Sequence, residues 1–293
     1  MLQPLLATAN IPLTRLSHHK HACNYQTDDG AIIALVTPQH GNGPFHIVLP
    51  EPLPLILADK DGVSGQWRQE TLHIGPLQID LHRAQVWQPD LPILHHLRPD
   101  ASRRLHEETD QYPPSTLQSG ATAQHMRARQ GMDALQKGFI ERDHDQVRAG
   151  VLYLAGLGPG LTPAGDDFLV GLLAAFHAGH LQRVEEQINR CRLIAQTAAA
   201  QTTKLSAQWL RCAGQGHFGE AWHHLIIALN DDSATAISRA AHRILTAGAT
   251  SGVDAMSGFL FGIRLLEDGG ERSEDRSQKD RFLSSDFCLL SSN

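Results

Sequence analysis

The spacing of apolar residues changes once along this chain of 293 residues, at about residue 118, and that change constrains the fold more than any single motif. Before it, the apolar runs are short. AIIALV (31–36) and FHIVL (45–49) have the length and β-branched content of strands, and HGNGPF (40–45) supplies the glycines of a hairpin turn. Further on, Leu77 and Ile79 alternate with polar residues, the two-residue period of a strand with one wet face.

After the change, good helix formers run in stretches that glycines separate. They predict helices over 121–139, 142–156, 166–179, 182–200, 204–213, 218–229, 233–247 and 253–267. The sequence therefore predicts an α+β protein. A β-rich N-terminal domain (1–117), built as a small antiparallel sheet or a barrel, precedes an all-helical C-terminal domain (118–268), and the charged, serine-rich residues 269–293 are expected to form a disordered tail.

Composition excludes several classes of function. The formal net charge is -6 and no basic stripe occurs, which argues against a nucleic-acid partner. The four cysteines form no C-x-x-C motif, so neither a zinc site nor a disulfide framework is expected. The N-terminus lacks the basic residues of a signal peptide, and FLVGLLAAFHAG is too short to cross a bilayer. We expect a soluble, cytoplasmic protein without a membrane partner.

One stretch, GLGPGLTPAGDDFL (156–169), carries more special backbone chemistry than a helix start requires. Thr162 and Pro163 predict a helix with Thr162 as N-cap and Pro163 in its first turn. The glycines before them allow the backbone to approach a ligand without a Cβ in the way. Free N–H groups beside a helix N-terminus bind anions such as phosphate or carboxylate. The predicted anion-binding residues in this stretch are Gly158, Gly160, Leu161, Thr162 and Asp166.

The stretch matches neither of the common phosphate loops. It contains no lysine, which a P-loop requires, and it lacks the G-x-G-x-x-G spacing of dinucleotide-binding proteins. The alternative to an anion site is a tight connection between two helices with an ordinary cap.

A seven-residue frame, G-x-D-x-x-x-G, occurs twice, as GDDFLVG (165–171) and as GVDAMSG (252–258). Within each frame the aspartate and the last glycine share a helix face, since they lie four residues apart. Because glycine permits close helix contact, we expect the two faces to meet and to bring Asp167 and Asp254 together. Thr250, Ser251 and Gly252 are then predicted to join the same site.

Two converging carboxylates have several possible uses. Asp167 and Asp254 are the predicted catalytic residues, either orienting the N–H groups of an amide or carbamoyl substrate or holding Mg²⁺ against a phosphate. The alternative is that both cap neighbouring loops. Asp166 points elsewhere and is expected to interact with the dipole of its own helix, worth a few tenths to about 1 kcal/mol. The histidines, densest in SHHKHAC (17–23), lack the spacing of a metal site, and no metal ligands are predicted.

GLGPGLTPAGDDFLVGLLAAF and the downstream AGATSGVDAMSGFLFG resemble a bacterial family that includes the AllH-type subunit of oxamate carbamoyltransferase. The resemblance covers 156–179 and 248–265, and it is looser around GNGPFHIVL in the β-rich half. Its common motif is G-P-G-L-T-P-S-x-D-D, in which this chain has Ala164 at the position of the serine.

The resemblance implies carbamoyl transfer between oxalurate and phosphate, giving oxamate and carbamoyl phosphate. It also implies a heteromeric enzyme with FdrA-like and other carbamoyltransferase subunits as partners. Such a reaction needs an anion cradle, donors for the developing oxyanion and a proton for the departing nitrogen, for which the sequence offers no evident donor. Two alternatives remain at this point. One is a non-catalytic assembly or anion-sensing subunit, and the other is a magnesium-dependent phosphate-handling enzyme.

Overall fold

A computed structural model describes residues 10–50, 65–117, 122–179 and 184–267 of the chain. The first two ranges contain one sheet of seven strands in the order β4-β3-β2-β1-β5-β6-β7. The strands are β1 (Ile11–His19), β2 (Ala22–Thr27), β3 (Ile32–Val36), β4 (His46–Val48), β5 (Gly65–Arg68), β6 (Thr71–Ile74) and β7 (Leu77–Asp80). The predicted tail, 269–293, lies outside the described residues.

The alternation of side chains gives the sheet two different faces. On β3, Ile33 and Leu35 join an apolar cluster with Tyr25 and Trp67, whereas Ala34 and Val36 face the helices. All five residues of β3 are therefore buried, as expected for a strand that is covered on both sides. On β7, Leu77 and Ile79 are half-buried while Gln78 and Asp80 are exposed, which confirms the predicted wet face.

The hairpin predicted at 40–45 is wrong. Strands β3 and β4 run parallel, with Ala34 beside His46 and Val36 beside Val48, so the segment between them must return to the start of β3 rather than reverse direction. The segment has a long-range partner instead. Asn42 donates its backbone N–H to Glu220 Oε2 at 2.9 Å, and its carbonyl accepts from the N–H of Glu220 at 2.9 Å. The glycines thus shape a loop that docks on a helix.

The remainder of the described chain contains nine helices, which confirms the predicted α+β class. They are α1 (Pro99–Asp110), α2 (Ala123–Glu141), α3 (His144–Leu154), α4 (Ala164–Ala178), α5 (Val184–Ala199), α6 (Lys204–Ala213), α7 (Glu220–Asn230), α8 (Ala234–Leu245) and α9 (251–267). Helix α1 was not predicted. Its buried residues Ala101 and Leu105 join the core of the helical part although they precede residue 117, and the boundary at 117 stays a prediction.

The sheet rests on α6. Phe45 and Trp209 meet edge to face with their ring centroids 4.5 Å apart, and Cys212 completes an apolar cluster with Val36 and Ile32. Beyond this contact, α4 is buried along most of its length. Between Phe168 and Ala178 it has nine buried residues, of which eight are hydrophobic and one is Gly171. The glycine-rich loop (155–163) lies at the N-terminal end of this helix.

Candidate functional site

The glycine-rich loop has a backbone conformation that favours glycine. Gly158 has φ +117° and Gly160 has φ +97°, values that residues with a side chain rarely adopt. At Gly158 a Cβ would also lie 2.9 Å from the backbone nitrogen of Ala164. At Gly160 nothing lies within 4 Å of a Cβ, so the space beside this residue is open and the conformation alone requires glycine.

Several N–H groups of this loop have no acceptor among the described residues. The loop's ends are held, because Leu157 donates to the carbonyl of Leu154 at 2.9 Å and Gly165 donates to the carbonyl of Leu157 at 2.9 Å. Between them, no described residue accepts from the backbone N–H groups of Gly158, Gly160, Leu161 and Thr162. Backbone donors without a protein partner, next to the start of a fifteen-residue helix, have the chemistry of an anion site.

The N-cap of this helix lies one residue later than predicted. Pro163 is the N-cap of α4, its carbonyl accepts from the N–H groups of Asp166 and Asp167, and no side chain caps the helix. Thr162 is therefore not the cap. Its hydroxyl lies 3.0 Å from the Ser251 hydroxyl at the start of α9, so the two predicted residues meet across the interface between the helices.

Both carboxyl oxygens of Asp166 have partners in the protein. This side chain is 1% exposed. It stabilises the loop, since Oδ1 accepts from the N–H of Gly156 at 2.9 Å and Oδ2 accepts from the Thr202 hydroxyl. Burial raises its pKa, and these hydrogen bonds lower it in part. Thr203 adds a second brace by donating its hydroxyl to the carbonyl of Leu161. Asp166 therefore holds the loop in place through its contacts with Gly156 and Thr202.

We expect Asp166→Asn to lower the free energy of unfolding by about 1–2 kcal/mol, because the amide replaces one of two buried acceptor oxygens and leaves a hydrogen bond unmade. Urea denaturation followed by circular dichroism measures this. A change below about 0.5 kcal/mol, the level of ordinary surface substitutions, would show that the brace contributes little.

The repeated frame does bring two helices into contact. A Cβ on Gly171 of α4 would lie 1.7 Å from the carbonyl oxygen of Ala255 in α9, and one on Gly258 would lie 1.9 Å from the carbonyl oxygen of Phe168. Glycine at both positions therefore allows the backbones to touch, as the sequence predicted. Asp167 and Asp254 lie near enough for the charge of Asp254 to raise the pKa of Asp167.

The two aspartates have different surroundings. Asp254 is 0% exposed, and its Oδ1 accepts from the Ser115 hydroxyl at 2.6 Å, the Thr116 N–H at 3.0 Å and the Thr116 hydroxyl at 3.2 Å. It holds the segment that leads to α2, which is the loop-capping alternative considered for both residues. Sequence reasoning missed Ser115 and Thr116 because no local pattern connects them to a residue nearly 140 positions away.

One carboxyl oxygen of Asp167 has no hydrogen-bond partner in the described part of the chain. Oδ2 is shielded from solvent and no described residue donates to it. The pKa of Asp167 lies well above its ordinary value, chiefly because burial disfavours the charged form. Hydrogen bonding from Ser251 and Thr162 lowers this pKa, while the negative charges of Asp254 and Asp166 raise it. A buried oxygen without a donor normally carries an energetic cost, which makes Asp167 a candidate for a functional role.

Two further predicted residues serve the start of α9. Thr250 is exposed, and its carbonyl accepts from the N–H of Asp254 at 3.0 Å. Gly252 packs against α8, where a Cβ would lie 1.9 Å from the carbonyl oxygen of Ile244. The backbone packing explains this glycine without a ligand.

Other features bear on the alternatives. Within the described ranges, no group of three or more His, Cys, Asp or Glu side chains is placed to hold a metal ion. None of the helices that the structure describes is both long and apolar enough to cross a membrane. A cleft of about 410 Å³ lies between α5 and α6 and has Arg192 and Arg211 in its lining, but none of the predicted site residues.

The fold is that of an α+β protein. Helix α4 follows a glycine-rich loop whose N–H groups have no acceptor among the described residues, and its first turn contains Asp167, whose pKa is raised. Residues 154–263, which contain the loop and both frames, match the family model described as oxamate carbamoyltransferase subunit AllH. This match confirms the resemblance inferred from the sequence. No solved structure matches the chain.

Proposed function

We propose that this chain is the subunit of an oxamate carbamoyltransferase that binds the small anionic substrates. This proposal rests on the four N–H groups of the glycine-rich loop for which no described residue supplies an acceptor. They lie at the N-terminus of α4, where the helix dipole favours negative charge, and inside the stretch that matches the AllH model. Phosphate, the phosphoryl group of carbamoyl phosphate and the carboxylate of oxamate or oxalurate all satisfy such donors.

The structure supports this function more than the magnesium-dependent alternative. Asp254 already accepts hydrogen bonds from Ser115 and Thr116, and Asp167 has a raised pKa, so the pair does not offer two free carboxylates to a cation. Carbamoyl transfer by nucleophilic attack needs charge stabilisation and a proton source, and the loop and Asp167 have the chemistry for these two tasks.

Catalysis is proposed to take place in a complex with FdrA-like and other carbamoyltransferase subunits. The family description names a subunit, and loop residues such as Leu161, 41% exposed, remain accessible in the isolated chain. The three described cysteines are free and buried, which fits the reducing cytoplasm as the place of this reaction.

We expect Gly160→Val to weaken binding of phosphate and carbamoyl phosphate at least tenfold while the fold persists. A valine cannot keep φ +97° without strain, so the loop must change shape, yet no neighbouring atom lies within 4 Å to be displaced. Isothermal titration calorimetry with each anion measures the affinity, and circular dichroism checks the fold.

Leu161→Ala is the matched control, since it shortens an exposed side chain and leaves the backbone donors unchanged. Equal affinities for the Gly160→Val variant, the control and the native chain would exclude the loop as the anion site. Anion binding by the chain, combined with full transferase activity of the partner subunits in its absence, would instead favour the anion-sensing alternative.

A further inference from the structure

Two parts of the helical region repeat one local arrangement. In each, a shorter helix ends and a longer helix begins with the frame G-x-D-x-x-x-G: α3 precedes α4, and α8 precedes α9. The first glycine of each frame packs on the last turn of the preceding helix. A Cβ on Gly165 would lie 2.0 Å from the carbonyl oxygen of Leu154, and one on Gly252 would lie 1.9 Å from that of Ile244.

The last glycine of each frame contacts the other frame in the same way. Gly171 meets the carbonyl of Ala255, the residue after Asp254, and Gly258 meets the carbonyl of Phe168, the residue after Asp167. The contacts between the two frames are therefore reciprocal, and the local arrangement has approximate twofold symmetry. Asp167 and Asp254 occupy equivalent positions in it.

Only one of these equivalent aspartates is satisfied by the protein. The carboxylate of Asp254 receives hydrogen bonds from Ser115 and Thr116, whereas Oδ2 of Asp167 receives none from the described residues and is shielded from water. Three groups surround Asp167: the Thr162 hydroxyl at the end of the glycine-rich loop, and the Ser251 hydroxyl and Asp254 carboxylate on α9. Asp167 thus has one carboxyl oxygen without a donor among the described residues, and the Thr162 hydroxyl of the glycine-rich loop interacts with the same carboxyl group.

We propose that Asp167 is a catalytic residue whose Oδ2 exchanges a proton with the nitrogen atom from which the carbamoyl group is transferred. This inference rests on the proposed function and adds the proton donor that the reaction requires. A ligand reaches Oδ2 by displacing the side chains that shield it, and Thr162 and Ser251 are the two whose hydroxyls interact with the carboxyl.

The proton balance is simple in the direction that uses oxalurate. An oxygen of hydrogen phosphate forms a bond to the carbamoyl carbon, and the bond from that carbon to the amide nitrogen of oxamate breaks. The departing nitrogen keeps the electron pair and takes the proton of Asp167. The proton that hydrogen phosphate loses then restores Asp167, so the products are carbamoyl phosphate and oxamate with no net change at the enzyme.

The electrostatics of the site suit this role. Burial and the neighbouring carboxylates Asp166 and Asp254 raise the pKa of Asp167 and so favour its protonated form. A general acid must hold its proton until the transition state, and an exposed aspartate would lose it well below neutral pH. The rate of the oxalurate reaction should therefore fall as the pH rises through the pKa of Asp167.

The experiment compares two carbamoyl donors with the assembled enzyme containing either native chain or Asp167→Asn. Oxalurate has a nitrogen leaving group that needs a proton, while p-nitrophenyl carbamate releases a stable phenolate that needs none. We expect Asp167→Asn to lower kcat for oxalurate by about 100-fold or more, as for loss of a general acid, and to lower kcat for p-nitrophenyl carbamate by less than about tenfold.

Asp133→Asn, which changes an exposed carboxylate of α2, is the matched control and should leave both rates unchanged. The fall of the oxalurate rate at high pH should be present in the native enzyme and absent in Asp167→Asn. Equal losses for both donors would overturn the inference, since Asp167 would then bind or position the substrate without transferring a proton. Failure of the native complex with both donors would overturn the proposed function itself.

Discussion

Gly258→Ala is expected to lower the free energy of unfolding by about 3 kcal/mol or more, toward the upper end of overpacking penalties. The new methyl group would lie 1.9 Å from the carbonyl oxygen of Phe168, a distance that no carbon atom can keep from backbone. Helices α4 and α9 would have to separate, and the packing of Phe168 and Phe259 on either side of the contact would loosen. Guanidinium denaturation of the purified variant measures the loss.

Gly219→Ala controls for the general effect of replacing a glycine. A Cβ there would meet its nearest atom, the carbonyl oxygen of Asn42, at an ordinary 3.6 Å, and the residue is an N-cap with φ −75°. Its replacement should cost less than about 1 kcal/mol. If the two variants were equally stable, the close contact between α4 and α9 would not be a significant part of the stability of the fold.

The contact between these helices could be predicted because its signal is local. An aspartate and a glycine four residues later lie on one helix face, and the two copies of that frame indicate that the two faces contact each other. The same holds for the glycine-rich loop, whose glycines adopt positive φ values that the absence of a side chain permits. Local periodicity and backbone preference can both be inferred directly from a sequence.

What could not be predicted depends on residues far apart in the chain. Asp254 is held by Ser115 and Thr116, and Asp166 by Thr202, but hydroxyl residues are common and nothing in the sequence selects these. The loop at 40–45 has the composition of a hairpin turn, yet its Asn42 contacts Glu220, which lies 178 positions further along the chain. Whether a carboxylate is satisfied by the protein or left for a ligand is decided by such tertiary contacts.

The difference between the two aspartates should appear in their effects on stability. Asp254→Ala removes the acceptor of three hydrogen bonds from Ser115 and Thr116 inside the protein, and we expect it to lower the free energy of unfolding by about 3 kcal/mol or more. Asp167→Asn removes a group that no described donor satisfies at Oδ2, so it should leave the stability at neutral pH unchanged or increase it. Urea denaturation of both variants at one pH makes the comparison.

The pH dependence provides a test of Asp167 that does not require activity. Its pKa is raised in the folded chain above the value of 3.8 for the unfolded one, so the folded state binds this proton more tightly. The contribution of Asp167 to stability is therefore complete below pH 3.8 and declines as the pH rises from there through the folded pKa. Asparagine does not titrate, so the stability of Asp167→Asn relative to the native chain should increase over this same interval and level off above it. A constant difference between the two chains from pH 4 to pH 8 would mean that the folded and unfolded pKa values are equal, and Asp167 would then be an ordinary ionised carboxylate that holds no proton for catalysis.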